Sequence, residues 1–258
     1  MISIDEREFV EKARSASEAA LATAPLLTSA ATFARYRNPP ETTIFPLEYA
    51  FHLLGDVRGK TILEYGCGDG LNTVVLANRG ARVIALDISP DLLAVAKKRL
   101  EINGCDGVEL LLGSAHSLPL PDESVDVVFG MAILHHLDLE LASREVRRVL
   151  RKGGKGIFKE PLRNSKVYAW VRQFLPKHAD VSPFERPLTD QELKDFAASC
   201  KYLAKTYQLP LSSIAGFMPF LRTPALKLCA HVDAYLLRLF PWLARYGTVK
   251  VFKMVKET

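Results

Sequence analysis

Cysteine is scarce in this sequence of 258 residues. The four cysteines lie far apart, at Cys67, Cys105, Cys200 and Cys229, and no two of them form a CxxC pair. This spacing argues against a disulfide framework and against the common zinc sites, and it favours a reducing compartment.

Long apolar runs are also missing. No stretch approaches the ~20 uninterrupted apolar residues that a membrane-spanning helix needs. The opening residues, MISIDEREFVEKARS, are acidic and amphipathic, unlike a signal or transit peptide. The sequence contains no repeat or low-complexity segment. We therefore expect a cytoplasmic protein.

The net charge of +5 conceals an asymmetry along the chain. Residues 1–150 carry a balance of −6, whereas residues 151–258 carry +11. A basic C-terminal part would attract an anionic substrate, an anionic lipid surface or nucleic acid. A simple solvated, lysine-rich surface is the alternative.

From Lys60 onward, short apolar segments alternate with helical ones. Such alternation indicates a parallel sheet covered on both faces. The predicted fold is α/β and Rossmann-like, with a mostly parallel seven-stranded sheet, helices on both faces, an N-terminal helical extension and a helical insertion before the last strand. The predicted strands are TILEY, RVIALD, VELLL, VDVVFGM, GIFKE, Lys201–Gln208 and Thr248–Lys256.

Helices are predicted from apolar spacing and from capping residues. Ser89-Pro90 marks a helix start, because serine caps a helix and proline suits its first turn. Thr189–Glu192 is a capping-box sequence. The predicted helices are Asp5–Ala24, a segment after Pro46, Leu71–Arg79, Pro90 to about Asn103, Leu139–Leu150, Lys166–Phe174 and Asp190 to about Ser199.

A glycine-rich loop, Glu64–Gly70, follows the first strand directly and precedes a helix. Its glycines allow a sharp turn and the close approach of a ligand. The loop lies at the carboxyl end of a strand, where open α/β sheets bind ligands, so we predict a nucleotide site. The dinucleotide fingerprint would need a small residue where Leu71 stands, and residues 72–79 lack the lysine of a P-loop.

Five segments in order resemble the class I, Rossmann-fold S-adenosylmethionine-dependent methyltransferases, specifically the type 11 kind, over about residues 60–161. The resemblance implies S-adenosylmethionine as cofactor and a methyltransferase activity (EC 2.1.1). The matching segments are Glu64–Gly70, the strand ending at Asp87, Gly113–Ala115 with Leu118-Pro119, Asp126–Met131 with Leu134–Leu137, and Leu150–Gly156 with Phe158.

By this resemblance, Glu64 helps to place the methionine end of the cofactor and Asp87 holds both ribose hydroxyls. A carboxylate suits the second task because it offers two acceptor oxygens to adjacent donors. The family usually has aspartate at the adenine where this chain has Ser114. No metal site is predicted. The predicted cofactor-binding residues are Glu64, Gly66, Cys67, Gly68, Gly70, Asp87, Ile88, Ser114, Ala115 and Met131.

Three side chains are candidates for catalysis: His135, His136 and Glu160. The histidines follow the fourth strand, at the rim where an acceptor would enter, and imidazole titrates in the range that suits a general base. Paired histidines occur here in family members with different substrates, so a substrate-shaping role stays open. Glu160 ends the fifth strand and is expected to point to the same rim, with a cap or salt bridge as the alternative.

A chain of 258 residues can bury one large core with a few extra helices, so we predict a single methyltransferase domain over residues 1–258. Residues 1–59 would form an N-terminal helical cap, residues 60–161 the cofactor-binding core, and residues 162–258 a substrate-side part with an insertion at about 209–246. From Ala225 to Phe240, apolar residues recur on one helical face. The alternatives for this helix are packing on the sheet, a lid over an acceptor pocket, a dimer contact or an interfacial membrane helix.

These patterns predict methyl transfer to a small, apolar or lipid-like acceptor, with oxygen as the favoured atom. Nucleic acid is disfavoured: Asn38-Pro39-Pro40 differs from the motif of amino-methylating DNA enzymes, and no Pro-Cys pair is present. The alternatives are an RNA or protein methyltransferase, and a membrane-surface methyltransferase acting on a quinone or lipid. A homo-oligomer and a peripheral membrane contact stay open.

Overall fold

The computed structural model describes residues 4–21, 25–163, 186–210 and 223–257. The helix predicted at Lys166–Phe174 lies outside these residues, as does the end of the one predicted at Asp5–Ala24. Within them, no helix is long and apolar enough to cross a membrane.

Seven strands form one sheet in the order β3-β2-β1-β4-β5-β7-β6. Strands β1 to β5 are parallel, and β7 runs antiparallel to both β5 and β6. The predicted fold is confirmed. The strands are β1 Thr61–Tyr65, β2 Arg82–Asp87, β3 Glu109–Leu112, β4 Val125–Met131, β5 Leu150–Pro161, β6 Cys200–Tyr207 and β7 Val249–Lys256.

The predicted helices within the described residues are present, with ends that differ by a few residues. An additional helix, α2, begins after Ser29, whose side chain accepts a hydrogen bond from the Thr32 backbone. The helices are α1 Ile4–Leu21, α2 Ala30–Arg37, α3 Pro46–Leu54, α4 Leu71–Asn78, α5 Pro90–Ile102, α6 Leu139–Val149, α7 Asp190–Phe196 and α8 Thr223–Leu239. Short 3₁₀ turns occupy Leu134–His136 and Pro241–Tyr246.

The capping signals form as predicted. The Ser89 hydroxyl accepts a hydrogen bond from the Leu92 backbone, with Pro90 in the first turn of α5. Thr189 and Glu192 form the reciprocal capping box of α7. One boundary was wrong: Leu150 begins β5 instead of ending α6, because its backbone is extended and it pairs with Val125.

The sheet separates two apolar layers. Adjacent residues of a strand point to opposite faces. Thus Ile62 packs with α3, α4 and α5, whereas Leu63 packs with α6 and α7. Helices therefore cover both faces, and the sheet core is buried from each side.

The loops that contain the predicted site residues lie at the carboxyl edge of the parallel strands. The glycine loop follows β1 there, Asp87 ends β2 there, and His135 follows β4. Val249 pairs with both Pro161 and Tyr207, so β7 begins and β6 ends at this edge. Both ends of the insertion therefore lie on the side of the predicted site.

Candidate active site

A cavity of about 400 Å³ opens at this edge. Its volume falls within the range of about 300–1,000 Å³ that is usual for small-molecule sites. It brings together eight of the residues predicted for the site, and α1 forms part of its wall. The eight residues are Gly66, Gly68, Asp87, Ile88, Ala115, Met131, His135 and His136.

The glycine loop is shaped by backbone that other residues rarely adopt. Gly66 and Gly68 have φ angles of +77° and +54°, in the left-handed region that favours glycine. The backbone amides of Gly66 and Cys67 donate to the Leu86 carbonyl at 3.0 and 2.8 Å, which fixes the loop to β2. A Cβ added to Gly68 would meet no atom within 4 Å, so the space in front of it belongs to the cavity.

Asp87, at the end of β2, connects the glycine loop to the turn that precedes α5. Its two carboxylate oxygens accept hydrogen bonds from the backbone amides of Gly68 at 2.8 Å and Ser89 at 2.9 Å. Burial raises the pKa of Asp87, and these amides counteract the effect. Each oxygen retains acceptor capacity, and the residue lines the cavity.

Glu64 lies behind this surface and does not line the cavity. Its side chain is buried, and Oε2 accepts a hydrogen bond from the Thr73 hydroxyl at 2.5 Å. Burial raises the pKa of Glu64 to about 8. Burial therefore favours the neutral form of this carboxyl group.

This raised pKa predicts a pH-dependent stability. Between the ordinary value of 4.5 and about 8, the folded chain binds the Glu64 proton more tightly than the unfolded chain does. The free energy of unfolding should therefore fall as pH rises through that window, by up to about 1.4 kcal/mol per unit from this group. Urea unfolding of the wild type and of Glu64→Gln across the window should show a shallower slope in the variant. Equal slopes would remove Glu64 as the cause.

Three other predicted cofactor residues lie outside the main cavity. Cys67 is buried, and burial raises the pKa of its thiol, which leaves it unreactive. Gly70 permits close packing, because a Cβ there would lie 2.8 Å from the Ala96 Cβ. Ser114 lines a neighbouring depression, and its hydroxyl donates to Glu8 of α1.

His135 faces the cavity and is supported from behind by Glu160. Its Nδ1 lies 2.8 Å from Glu160 Oε2. Glu160 Oε1 accepts hydrogen bonds from the backbone amides of Ile133 at 3.0 Å and Leu134 at 2.9 Å. Glu160 is fully buried, so it lies behind the histidine and not at the acceptor rim as expected from the sequence. It contacts the cavity wall through His135.

His136 is the second histidine of the wall, and its ring centre lies 4.1 Å from that of His135. Its Nδ1 lies 3.3 Å from Glu11 Oε2 of α1. Arg7 Nη1 of the same helix lies 3.4 Å from the His136 carbonyl, which it approaches as a donor. The site therefore contains two adjacent imidazoles, each beside a carboxylate.

Helix α1 contributes to the site in a way that the sequence did not reveal. Glu8 Oε1 lies 3.1 Å from His116 Nδ1, and His116 Nε2 accepts from the Asp138 backbone amide at 3.0 Å. The only signal in the sequence is the pair Glu8 and Glu11, which lie nearly one turn apart on an amphipathic helix. That spacing predicts a polar face but not the histidines that it meets.

Comparison with known proteins agrees with this architecture. Residues 63–158 match the family model described as a methyltransferase domain. A malonyl-[acyl-carrier protein] O-methyltransferase of Serratia marcescens is 37% identical over 101 residues, which are 39% of this chain and 38% of that protein. A ubiquinone biosynthesis O-methyltransferase of Coxiella burnetii is 32% identical over 158 residues, covering 55% of this chain and 63% of that one.

Among solved structures, the geranyl diphosphate C-methyltransferase of Streptomyces coelicolor has the same fold. The TM-score is 0.59 at 17% identity, and the match covers 82% of this chain and 78% of that one. The chain spans less than two thirds of the length of either curated relative. Residues 63–158 therefore match a methyltransferase domain, and the chain has the Rossmann-like fold of the solved methyltransferase.

Proposed function

We propose that this protein transfers a methyl group from S-adenosylmethionine to an oxygen atom of a small, apolar or lipid-like acceptor. One observation carries the proposal. A single cavity joins the glycine loop and Asp87 on one side to a carboxylate-supported histidine on the other. Cofactor binding and proton removal would therefore occur in one space.

The residues present fit the cofactor. The remaining acceptor capacity of Asp87 suits adjacent ribose hydroxyls. The open space at Gly68 lets a ligand approach the backbone where a side chain would intrude. Ile88, Ala115 and Met131 supply apolar walls for a nucleoside. When bound, S-adenosylmethionine supplies an electrophilic methyl group.

His135 is the proposed general base. A carboxylate only accepts hydrogen bonds, so Glu160 selects the tautomer in which His135 Nδ1 carries the proton. In that tautomer Nε2 is the unprotonated nitrogen of the ring. The fixed orientation lowers the entropic cost of placing that atom beside the proton of an acceptor hydroxyl, whereas a carboxylate acceptor needs no proton removed.

The choice of acceptor rests on the cavity and on the relatives. Two of the curated relatives are an O-methyltransferase of malonyl-[acyl-carrier protein] and one of ubiquinone biosynthesis, which favours oxygen and an apolar or acyl-bearing acceptor. A cavity with both apolar walls and histidines suits such an amphiphile. Release of S-adenosylhomocysteine with a panel of long-chain carboxylic acids, phenols and matched acceptors lacking the hydroxyl would test the class.

Asp87→Ala tests the cofactor site directly. Loss of charge-assisted hydrogen bonds should weaken S-adenosylmethionine binding by about 1–3 kcal/mol in calorimetry. Asp126→Ala is the matched control, since Asp126 also accepts a backbone hydrogen bond, from Thr61 at 2.8 Å, but does not line the cavity.

The Asp126 variant should retain wild-type affinity even if its melting temperature falls. If Asp87→Ala binds the cofactor as tightly as the wild type does, the ribose assignment is wrong. If neither wild type nor variant binds it, the proposed activity itself fails.

A further inference from the structure

Helix α8 and the turn after it expose a row of large apolar side chains. We call this surface the insertion face. Leu228, Val232, Tyr235 and Leu239 recur at helical spacing, and Trp242 extends the row beyond the helix. All five side chains are exposed, from 39% for Val232 to 65% for Leu228. Single exposed apolar residues are normal on a surface, whereas a contiguous row marks an interaction site.

On α8 the one carboxylate is buried, whereas several large apolar side chains are exposed. Asp233 is 1% exposed, and its Oδ2 accepts a hydrogen bond from the Leu209 backbone amide at 2.8 Å. Leu236 and Leu237 are only partly buried. Asp233 thus faces the rest of the protein, whereas the apolar row faces solvent.

The exposed charge beside the row has one sign. Lys227 and Arg238 each precede a residue of the row by one position, so they lie along the same flank. Arg245 is exposed too, and its guanidinium lies 5.2 Å from the Trp242 ring centre. Asp233 is the sole carboxylate between residues 223 and 246, and it is buried. The insertion face is therefore apolar with a cationic margin.

This combination matches the surface of an anionic bilayer. Leucine, tyrosine and tryptophan enter the interfacial region of a bilayer, while lysine and arginine extend to the phosphates. A second copy of the chain is a poorer fit, because a two-fold contact would bring the cationic margins together. Lysine is also depleted at protein–protein interfaces.

We propose that the insertion face docks on membranes that contain anionic lipid, with α8 lying in the plane of the interface. The insertion begins and ends at the carboxyl edge of the sheet, where the cavity opens. Docking would bring the open edge toward the lipid and let a lipid-like acceptor enter from the bilayer. Docking itself goes beyond the proposed methyl transfer and does not depend on it.

Co-sedimentation of the full chain with vesicles tests the proposal without any methyl acceptor. The wild type should bind vesicles of phosphatidylcholine with phosphatidylglycerol, and bind less at high salt or without phosphatidylglycerol. Leu239→Gln/Trp242→Gln should weaken partitioning about tenfold or more, because two buried apolar contacts with lipid are lost. Lys227→Glu/Arg238→Glu should abolish the dependence on anionic lipid.

Ile102→Gln is the matched control. Ile102 is exposed to a similar extent as Leu239, 46% against 51%, but it ends α5 at the opposite edge of the sheet. This variant should partition like the wild type. Melting temperatures should agree for all variants, since each altered side chain is exposed.

Three results would overturn the proposal. The first is a wild type that binds neither kind of vesicle. The second is a Leu239→Gln/Trp242→Gln variant that partitions like the wild type. The third is a dimer in sedimentation velocity that the same variant dissociates, with no vesicle binding. Failure of cofactor binding in the Asp87 experiment would leave vesicle binding unaffected, so the two proposals fail separately.

Discussion

Gly68→Val is expected to abolish measurable binding of S-adenosylmethionine, a loss of at least about 100-fold. The new Cβ would enter the cavity, where nothing of the protein now lies within 4 Å, and the branched side chain would occupy the ligand's place. The φ angle of +54° adds backbone strain of about 1–2 kcal/mol. Calorimetry and the shift of melting temperature on adding cofactor would measure the effect.

Gly104→Val is a control that introduces backbone strain without obstructing the cavity. Gly104 has a φ of +62° and open space around its missing Cβ, but it follows α5 away from the cavity. This variant should lose stability to a similar extent and keep its cofactor affinity. Wild-type affinity in Gly68→Val would show that the glycine loop is not the cofactor site.

His135→Ala is expected to lower turnover by about 10²–10⁴-fold, the usual contribution of a positioned general base. Cofactor affinity should change little, because Asp87 and the glycine loop remain. Glu160→Gln should reproduce most of the loss. The glutamine carbonyl would accept from the Ile133 and Leu134 amides, and its amide would donate to His135 Nδ1. Nε2 would then carry the proton and could not act as the base.

The control variant for the proposed tautomer effect is His136→Ala. His136→Ala removes the neighbouring imidazole without altering the Glu160 contact, so it should retain more turnover than His135→Ala. Single-turnover rates across pH would show loss of the His135-dependent limb in His135→Ala and Glu160→Gln alone. Full turnover in Glu160→Gln would mean that orientation by this carboxylate is not needed.

The sheet and the glycine loop could be predicted because their signals are local. Strand β1, the Glu64–Gly70 loop and Asp87 follow one another within a short stretch, and each strand alternates or runs apolar in its own right. Parallel strands then bring their carboxyl ends to one edge without any further information. Asp87 ends β2 and His135 follows β4, so their positions relative to these strands were enough to predict that they lie beside one cavity.

The parts that could not be predicted depend on contacts between distant residues. Nothing in the sequence states that Glu160 pairs with His135, or that its carboxylate caps two backbone amides of the intervening turn. Glu8 is 106 residues from Ser114, and local periodicity carries no information about such a separation. In α8, helical spacing correctly predicts the apolar row, but periodicity cannot tell whether a row faces the core or solvent.

Helix α1 lies against the cavity through contacts of its own carboxylates with His116 and His136. Asp87 and Glu160 belong to strands β2 and β5, and these strands do not include α1. Local unfolding of this single N-terminal helix would therefore open the site while the sheet stays folded. A ligand that touches α1 would in turn protect its amide hydrogens from exchange. We therefore expect the rate of ligand exchange to depend on α1 and the global stability of the protein to depend on the sheet.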